Sequence, residues 1–169
     1  MHREDAEQFI FMDFEASGLC PQSWPIEIGL SWIEGAAIKA WSSLIRPEPG
    51  WDIEAWDPVS ARVHGIPFDE LARAPAAGLV AAEAAKRISG TTVCSDAPKH
   101  DERWARRLFL EASQPVSLRI FDIYSAFEHL LSGMGMDHAY EKLSRLPVPH
   151  RAGPDAERYA CALLHGLKY

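Results

Sequence analysis

The sequence has little of what several common protein classes need. Only three cysteines occur in 169 residues, Cys20, Cys94 and Cys161, odd in number and far apart. They form neither a disulfide framework nor a zinc site, and they suit a reduced, cytoplasmic setting. No apolar run is long enough to span a bilayer, so no membrane is expected among the partners. The opening residues, MHREDAEQ, are polar and acidic and lack the apolar stretch of a signal peptide. They read as a flexible tail over 1–7. Basic residues are in deficit, and the formal net charge is −7. Proteins that coat long nucleic acid by charge alone are usually basic, which disfavours that class. The deficit does not exclude an enzyme that meets phosphate through a bound cation. There is also no internal repeat and no low-complexity tract.

Hydrophobic residues make up 47% and charged residues 24%, as in ordinary globular chains, and the length suits a single domain over 1–169. Residues 8–14 are apolar on both faces and read as a central strand. The stretch IEIGLSWI, 26–33, alternates as a half-buried strand, and AIKAWSSLIRP, 37–47, completes an antiparallel meander through a turn at Glu34-Gly35. A Pro-, Trp- and Gly-rich region follows, with a short helix near 57–63. Helices are then expected over 76–89, 99–112, 123–132, 136–144 and 154–166, and short strands over 91–95 and 117–121. Meander first and alternation later indicate a mixed α/β sheet.

The first strand ends in FMDFEASGL, with Asp13 and Glu15 two residues apart. Residues two apart on a strand share a face, so these carboxylates project side by side. Adjacent carboxylates repel, and one would normally take up a proton. A divalent ion such as Mg²⁺ or Mn²⁺ would keep both ionised. Two solvated acids at a strand end is the plainer alternative. Asp101 falls on the inner stripe of its helix with Trp104 and Leu108, near the helix start. Asp96 is its rival but sits in the turn. Pro154 suits a first helical position, which puts Asp155 in the first turn. His150 stands five residues earlier in a Pro-flanked loop, where a turn into the helix can hold it beside that carboxylate.

In order, FMDFEASGL, PIEIG, VHGI, SDAPKHDERW and HRAGPDA resemble the motifs of the DEDDh 3′–5′ exonucleases. These belong to the ribonuclease-H-like superfamily, with the proofreading exonuclease subunits, ribonuclease T and oligoribonuclease. The resemblance runs from about residue 8 to the end of the chain. It implies a ribonuclease-H-like fold, a five-stranded mixed sheet with helices on both faces. It also implies two Mg²⁺ or Mn²⁺ ions held by Asp13, Glu15, Asp101 and Asp155, with His150 as general base. The substrate implied is single-stranded or short RNA or DNA with a free 3′ end, cut to nucleoside 5′-monophosphates. The second motif departs from the family, because the Asn and aromatic that usually precede its Asp are absent.

The resemblance places Ser17, Gly18 and Leu19 against the terminal nucleotide, Leu19 as an apolar wedge. His64 would contact the terminal nucleoside and Arg151 a phosphate. Glu27 braces the second strand or reaches the sugar. Trp24, Trp51 and Trp56 read as loop packing, Arg103, Arg106 and Arg107 as a solvated helix face, and Asp122 as a helix cap. A proofreading or repair exonuclease with a polymerase partner, and a non-catalytic binding module on the same fold, are the other functional readings. A homodimer, as in ribonuclease T, is left open by the sequence.

Overall fold

Phe9–Ala16 form strand β1, which is apolar on both faces because it lies at the centre of the sheet. The computed structural model describes residues 3–112, 116 and 118–169. β1 pairs antiparallel with β2 (Pro25–Glu34), which pairs antiparallel with β3 (Ala37–Leu44). On its other side β1 pairs parallel with β4 (Thr92–Ser95), and β4 pairs parallel with β5 (Ile120–Asp122). The order β3-β2-β1-β4-β5 is the expected five-stranded mixed sheet. The last strand begins at Ile120 rather than 117, and Ser117 lies outside the described residues.

The helices are α1 (Arg3–Ala6), α2 (Pro58–His64), α3 (Phe68–Leu71), α4 (Ala77–Ile88), α5 (Pro98–Phe109), α6 (Ile123–Leu130), α7 (Gly133–Arg145) and α8 (Ala152–Gly166). Residues 3–6 depart from the expected tail: they are helical, and Ala6 is buried in the core with Phe11. Alternation along β1 sorts the two faces of the sheet. Ile10, Met12 and Phe14 pack on α4 and α5, through residues such as Ala81, Ala84, Trp104 and Leu108. Phe11 packs on the opposite face with Phe127, Tyr159 and Leu163. Each large apolar side chain buried in this way contributes about 1.5–3 kcal/mol, which anchors the strand that carries the acids. Asp13 and Glu15 have the parity of Phe11 and therefore face α8. None of the described helices is long and apolar enough to cross a membrane.

Two boundaries differ from the sequence reading for physical reasons. α7 starts at Gly133 because Ser132 caps it, its hydroxyl accepting from the Gly135 N–H. α8 starts at Ala152, so Pro154 is its third residue, where its missing N–H leaves no helical bond unmade. Asp155 stays in the first turn. Asp122 caps α6 by accepting from the Tyr124 N–H.

Candidate active site

The register of β1 on β2 sets Asp13 opposite Gly29 and Glu15 opposite Glu27. Cross-strand partners share a face, so three carboxylates and one bare glycine lie together beneath α8. The bare position matters. A Cβ on Gly29 would lie 2.0 Å from the Ala152 carbonyl oxygen, so only glycine lets the first turn of α8 rest directly on the sheet. That approach brings in Asp155. One oxygen each from Asp13, Glu15 and Asp155 lies within 4.8 Å of the others.

These acids are held at a cost. Burial, and then the charges of Asp101, Glu15, Asp96 and Asp155, push the Asp13 carboxyl well above the usual carboxylate range. Glu15 is pushed up to about 8, chiefly by burial, with Asp155 and Glu27 adding to the shift and Arg151 opposing it. Asp101 is 2% exposed in the first turn of α5, and its Oδ2 has no hydrogen-bond partner. Burial pushes its carboxyl up to about 7, against the influence of the Ser95 hydroxyl. Asp101 is not among the three converging acids, but its charge acts on both Asp13 and Glu15. An all-oxygen set with an unpartnered buried carboxylate oxygen beside it fits a hard divalent cation. Oxygens around such an ion sit ~3–4 Å apart, so the trio needs only a small contraction.

Asp96, expected to be only a turn residue, is exposed at the rim, and its charge acts on Asp13 and Asp101. It also interacts with the phenol of Tyr159, whose proton burial and Asp96 hold in place. Sequence pattern marks Tyr159 only as part of the inner stripe of α8.

The turn into α8 is tied down from both sides. The Arg151 N–H donates to Asp155 Oδ2 at 3.0 Å, and Arg158 Nη1 donates to Oδ1 at 3.3 Å. Glu27, 3% exposed, accepts from Arg151 Nε and Nη2 at 2.9 and 2.8 Å and from the Ala152 N–H at 3.0 Å. A carboxylate at a helix N-terminus satisfies an orphan donor and complements the dipole. Arg151, expected against a phosphate, is also the partner of Glu27: its guanidinium, 43% exposed, offsets a carboxylate that would otherwise face Glu15 as a like charge. His150 is exposed in the loop before this turn, with a left-handed backbone at φ 53°.

A cleft of about 290 Å³ opens beside Glu15, lined by Gly18, Leu19, Asp57, His64 and Trp104 among others. Leu19 is 68% exposed at its edge. His64 is buried, and its Nδ1 accepts from the Ile66 N–H at 3.0 Å. The neutral ring then carries its proton on Nε2, which is buried without a partner. Burial pushes the His64 pKa down, which keeps the ring neutral. Ser17 departs from its expected contact: it is fully buried, and its hydroxyl accepts from the Trp24 N–H at 3.0 Å. Trp24 is core, packed against Trp51, Trp56 and Phe68, and Trp56 in turn meets the His64 ring.

The helix α5 corrects a further expectation. Arg103 and Arg107 are not simply solvated. Arg103 donates to the Leu19 carbonyl at 3.1 Å, Arg107 to the Gln22 and Ser23 carbonyls, and Trp104 Nε1 to the Ser23 hydroxyl at 2.9 Å. These bonds hold the 18–24 loop against the cleft. Arg106 alone pairs along its own helix, with Glu102.

No protein-family model matches the sequence, and no curated protein does. Solved structures do. Exonuclease I of E. coli, in complex with a dA16 oligonucleotide, superposes with a TM-score of 0.64 at 16% identity. The match covers 92% of this chain and 40% of that one. A 3′-exonuclease that recognises the 3′ end of a histone mRNA stem-loop superposes with a TM-score of 0.65 at 15% identity, over 96% of this chain and 82% of that one. The chain has the ribonuclease-H-like fold of these exonucleases. S. pombe Pop2p in its Mg²⁺- and Mn²⁺-bound form shares the exonuclease fold, with a TM-score of 0.64 at 15% identity over 94% of this chain and 82% of that one. At such identities the likeness is one of fold. Against exonuclease I the chain spans about two fifths of the partner's length, 40%.

Proposed function

We propose that this chain is a metal-dependent 3′–5′ exonuclease. It hydrolyses single-stranded or short nucleic acid and releases nucleoside 5′-monophosphates. The observation that carries the reading is the convergence of Asp13, Glu15 and Asp155 within 4.8 Å, at the end of the central strand of a fold shared with exonucleases. Asp13, Glu15 and Asp155 would hold the Mg²⁺ or Mn²⁺, with Asp101 completing the acid set from α5. Bound there, the cations neutralise the carboxylates and stabilise charge that develops on the phosphate. His150 takes the proton from the attacking water at a ring nitrogen. His64 offers its Nε2–H to the terminal sugar, and Leu19 packs against the terminal base. The dA16 bound to exonuclease I and the Mg²⁺ and Mn²⁺ bound to Pop2p support this assignment of substrate and ion.

The test is direct. Single-stranded DNA and RNA 12-mers labelled at the 5′ end are incubated with Mn²⁺ or with EDTA. A ladder of shortened labelled products with Mn²⁺, absent with EDTA, is the expected result. No shortening with Mn²⁺, or equal shortening in EDTA, overturns the reading, and early release of labelled mononucleotide reverses the direction.

The fit between Gly29 and α8 makes a second prediction. In Gly29→Ala the new Cβ must displace backbone, because it would meet the Ala152 carbonyl oxygen at 2.0 Å. The first turn of α8 moves outward by roughly 1 Å or more, and Asp155 moves with it. Misplacement on that scale costs about 10²-fold in turnover, and overpacking costs about 1–3 kcal/mol of stability. Steady-state kinetics with Mn²⁺ and a thermal melt measure both. Wild-type turnover in the variant would mean that this contact does not position Asp155.

A further inference from the structure

The acidic chain carries a concentrated basic face on α5. Lys99, Arg103, Arg106 and Arg107 line a groove of about 440 Å³ along α5, with Glu102 and Leu110. At 100° per residue, positions 99, 103, 106 and 107 fall on one side of the helix. Four cations stand there against one carboxylate, in a chain whose formal net charge is −7. The two arginines that hold the 18–24 loop bind carbonyl oxygens, which leave their positive charge uncompensated. Arg103 Nε is buried with no hydrogen-bond partner.

The groove adjoins the cleft across the Leu19–Arg103 contact. Leu19 lines the cleft, and its carbonyl accepts from Arg103, which lines the groove. Trp104 lines the cleft from the same helix, and the Arg103 guanidinium lies 5.3 Å from the centre of its ring. A strand whose end sits beside Glu15 therefore meets the basic face as soon as it passes Leu19. From Lys99 to Arg107 the face runs ~12 Å at 1.5 Å per residue. We propose that this groove is a phosphate track, which holds the backbone of the single strand leading away from the cleft. The inference rests on the nuclease reading for the position of the strand's end, and charge complementarity selects the occupant. An acidic protein would find a short helix face whose one exposed apolar side chain is Leu110 at its end, too little apolar surface for a protein interface, whereas a phosphodiester backbone needs only spaced cations. The track also removes a difficulty: an enzyme of negative net charge needs a local positive path to retain a polyanion.

The test is equilibrium binding, which does not depend on hydrolysis. Fluorescence anisotropy of a labelled single-stranded 12-mer is measured in EDTA across a salt series. The proteins are wild type, the exposed double variant Lys99→Gln/Arg106→Gln, and a control, Lys39→Gln, in the edge strand β3. Each lost phosphate contact lowers the log–log salt slope by about 0.7, so the double variant should lose about 1.4 and bind about tenfold more weakly at low salt. The control should keep the wild-type slope. An unchanged slope in the double variant, or no binding of the 12-mer by wild type, overturns the track. So does displacement of the 12-mer by polyglutamate as effective as by unlabelled 12-mer. If the slope falls as expected while Mn²⁺-dependent hydrolysis is absent, the track stands and the nuclease reading falls.

Discussion

Asp13→Asn is expected to lower turnover by about 10³-fold or more, the scale on which groups that stabilise developing charge act, while raising the stability of the metal-free protein. Both effects come from the same crowding of carboxylates. Asp13 clusters with Glu15 on its own strand and Asp155 on α8, and its ionised form is disfavoured first by burial and then by Asp101 and its other acidic neighbours. A divalent ion offsets that burial and repulsion, so losing one shared ligand removes most of the site's hold on it. Without metal the sign reverses, since the amide keeps the shape of Asp13 without its charge.

The pH dependence follows from the same shifts. Asp13, Glu15 and Asp101 have carboxyls raised above their unfolded values, Glu15 to about 8 and Asp101 to about 7. The folded protein then binds more protons than the unfolded chain between the ordinary carboxylate range and those values, so stability must fall as pH rises through this window. Metal-free wild type should therefore melt highest near the ordinary carboxylate range and lose stability from there up to about pH 8. Asp13→Asn should show a shallower fall, and saturating Mn²⁺ should flatten the wild-type profile. Thermal melts at three pH values, with EDTA and with Mn²⁺, measure all of this. A wild-type profile that rises with pH in EDTA would contradict the acid cluster as described.

His150→Ala is expected to cost about 10²–10⁴-fold in turnover, the usual contribution of a general base, while Mn²⁺ binding survives because the acid cluster is untouched. The structure allows strain and chemistry to be separated at this position. His150 has φ 53°, a left-handed backbone that residues with a Cβ adopt at a penalty. It stands immediately before Arg151, whose N–H holds Asp155. Glycine removes both the base and the penalty. His150→Gly should therefore be as inactive as His150→Ala but more stable by about 1 kcal/mol, which is ~2–4 °C in a chain of this size. Near-wild-type turnover in both variants would remove His150 from the base role. Recovery of activity in the glycine variant alone would make it a purely conformational residue.

Much of the architecture is legible along the chain, because the patterns that report it are local. The double-sided apolar run of β1 marks a central strand, and its two-residue period puts Asp13 and Glu15 on one face. The stripe of Asp101, Trp104 and Leu108 turns that acid inward, and the Pro154-Asp155 pair places a carboxylate in a first helical turn. Each inference uses neighbours within about a turn or two, where backbone geometry dictates which side chains share a side. Where that geometry had a competing local solution, the boundary moved, as when the Ser132 cap started α7 three residues early.

Only the tertiary structure decided what those side chains meet. Glu27 and Arg151 are 124 positions apart, and no periodicity links them. Their pairing exists because β2 runs beneath the start of α8, and the same packing turns Arg151 from a free cation into the partner of a buried acid. Gly29 is simply one position of the 26–33 strand until Ala152 lies on it. Arg103 and Arg107 read as a solvated face until the 18–24 loop folds onto α5 and supplies carbonyl acceptors from more than eighty positions away. Sequence pattern reports the direction of a side chain, set by the residue's own backbone. Its partner is set by which elements pack together, and that depends on burial summed over the whole chain.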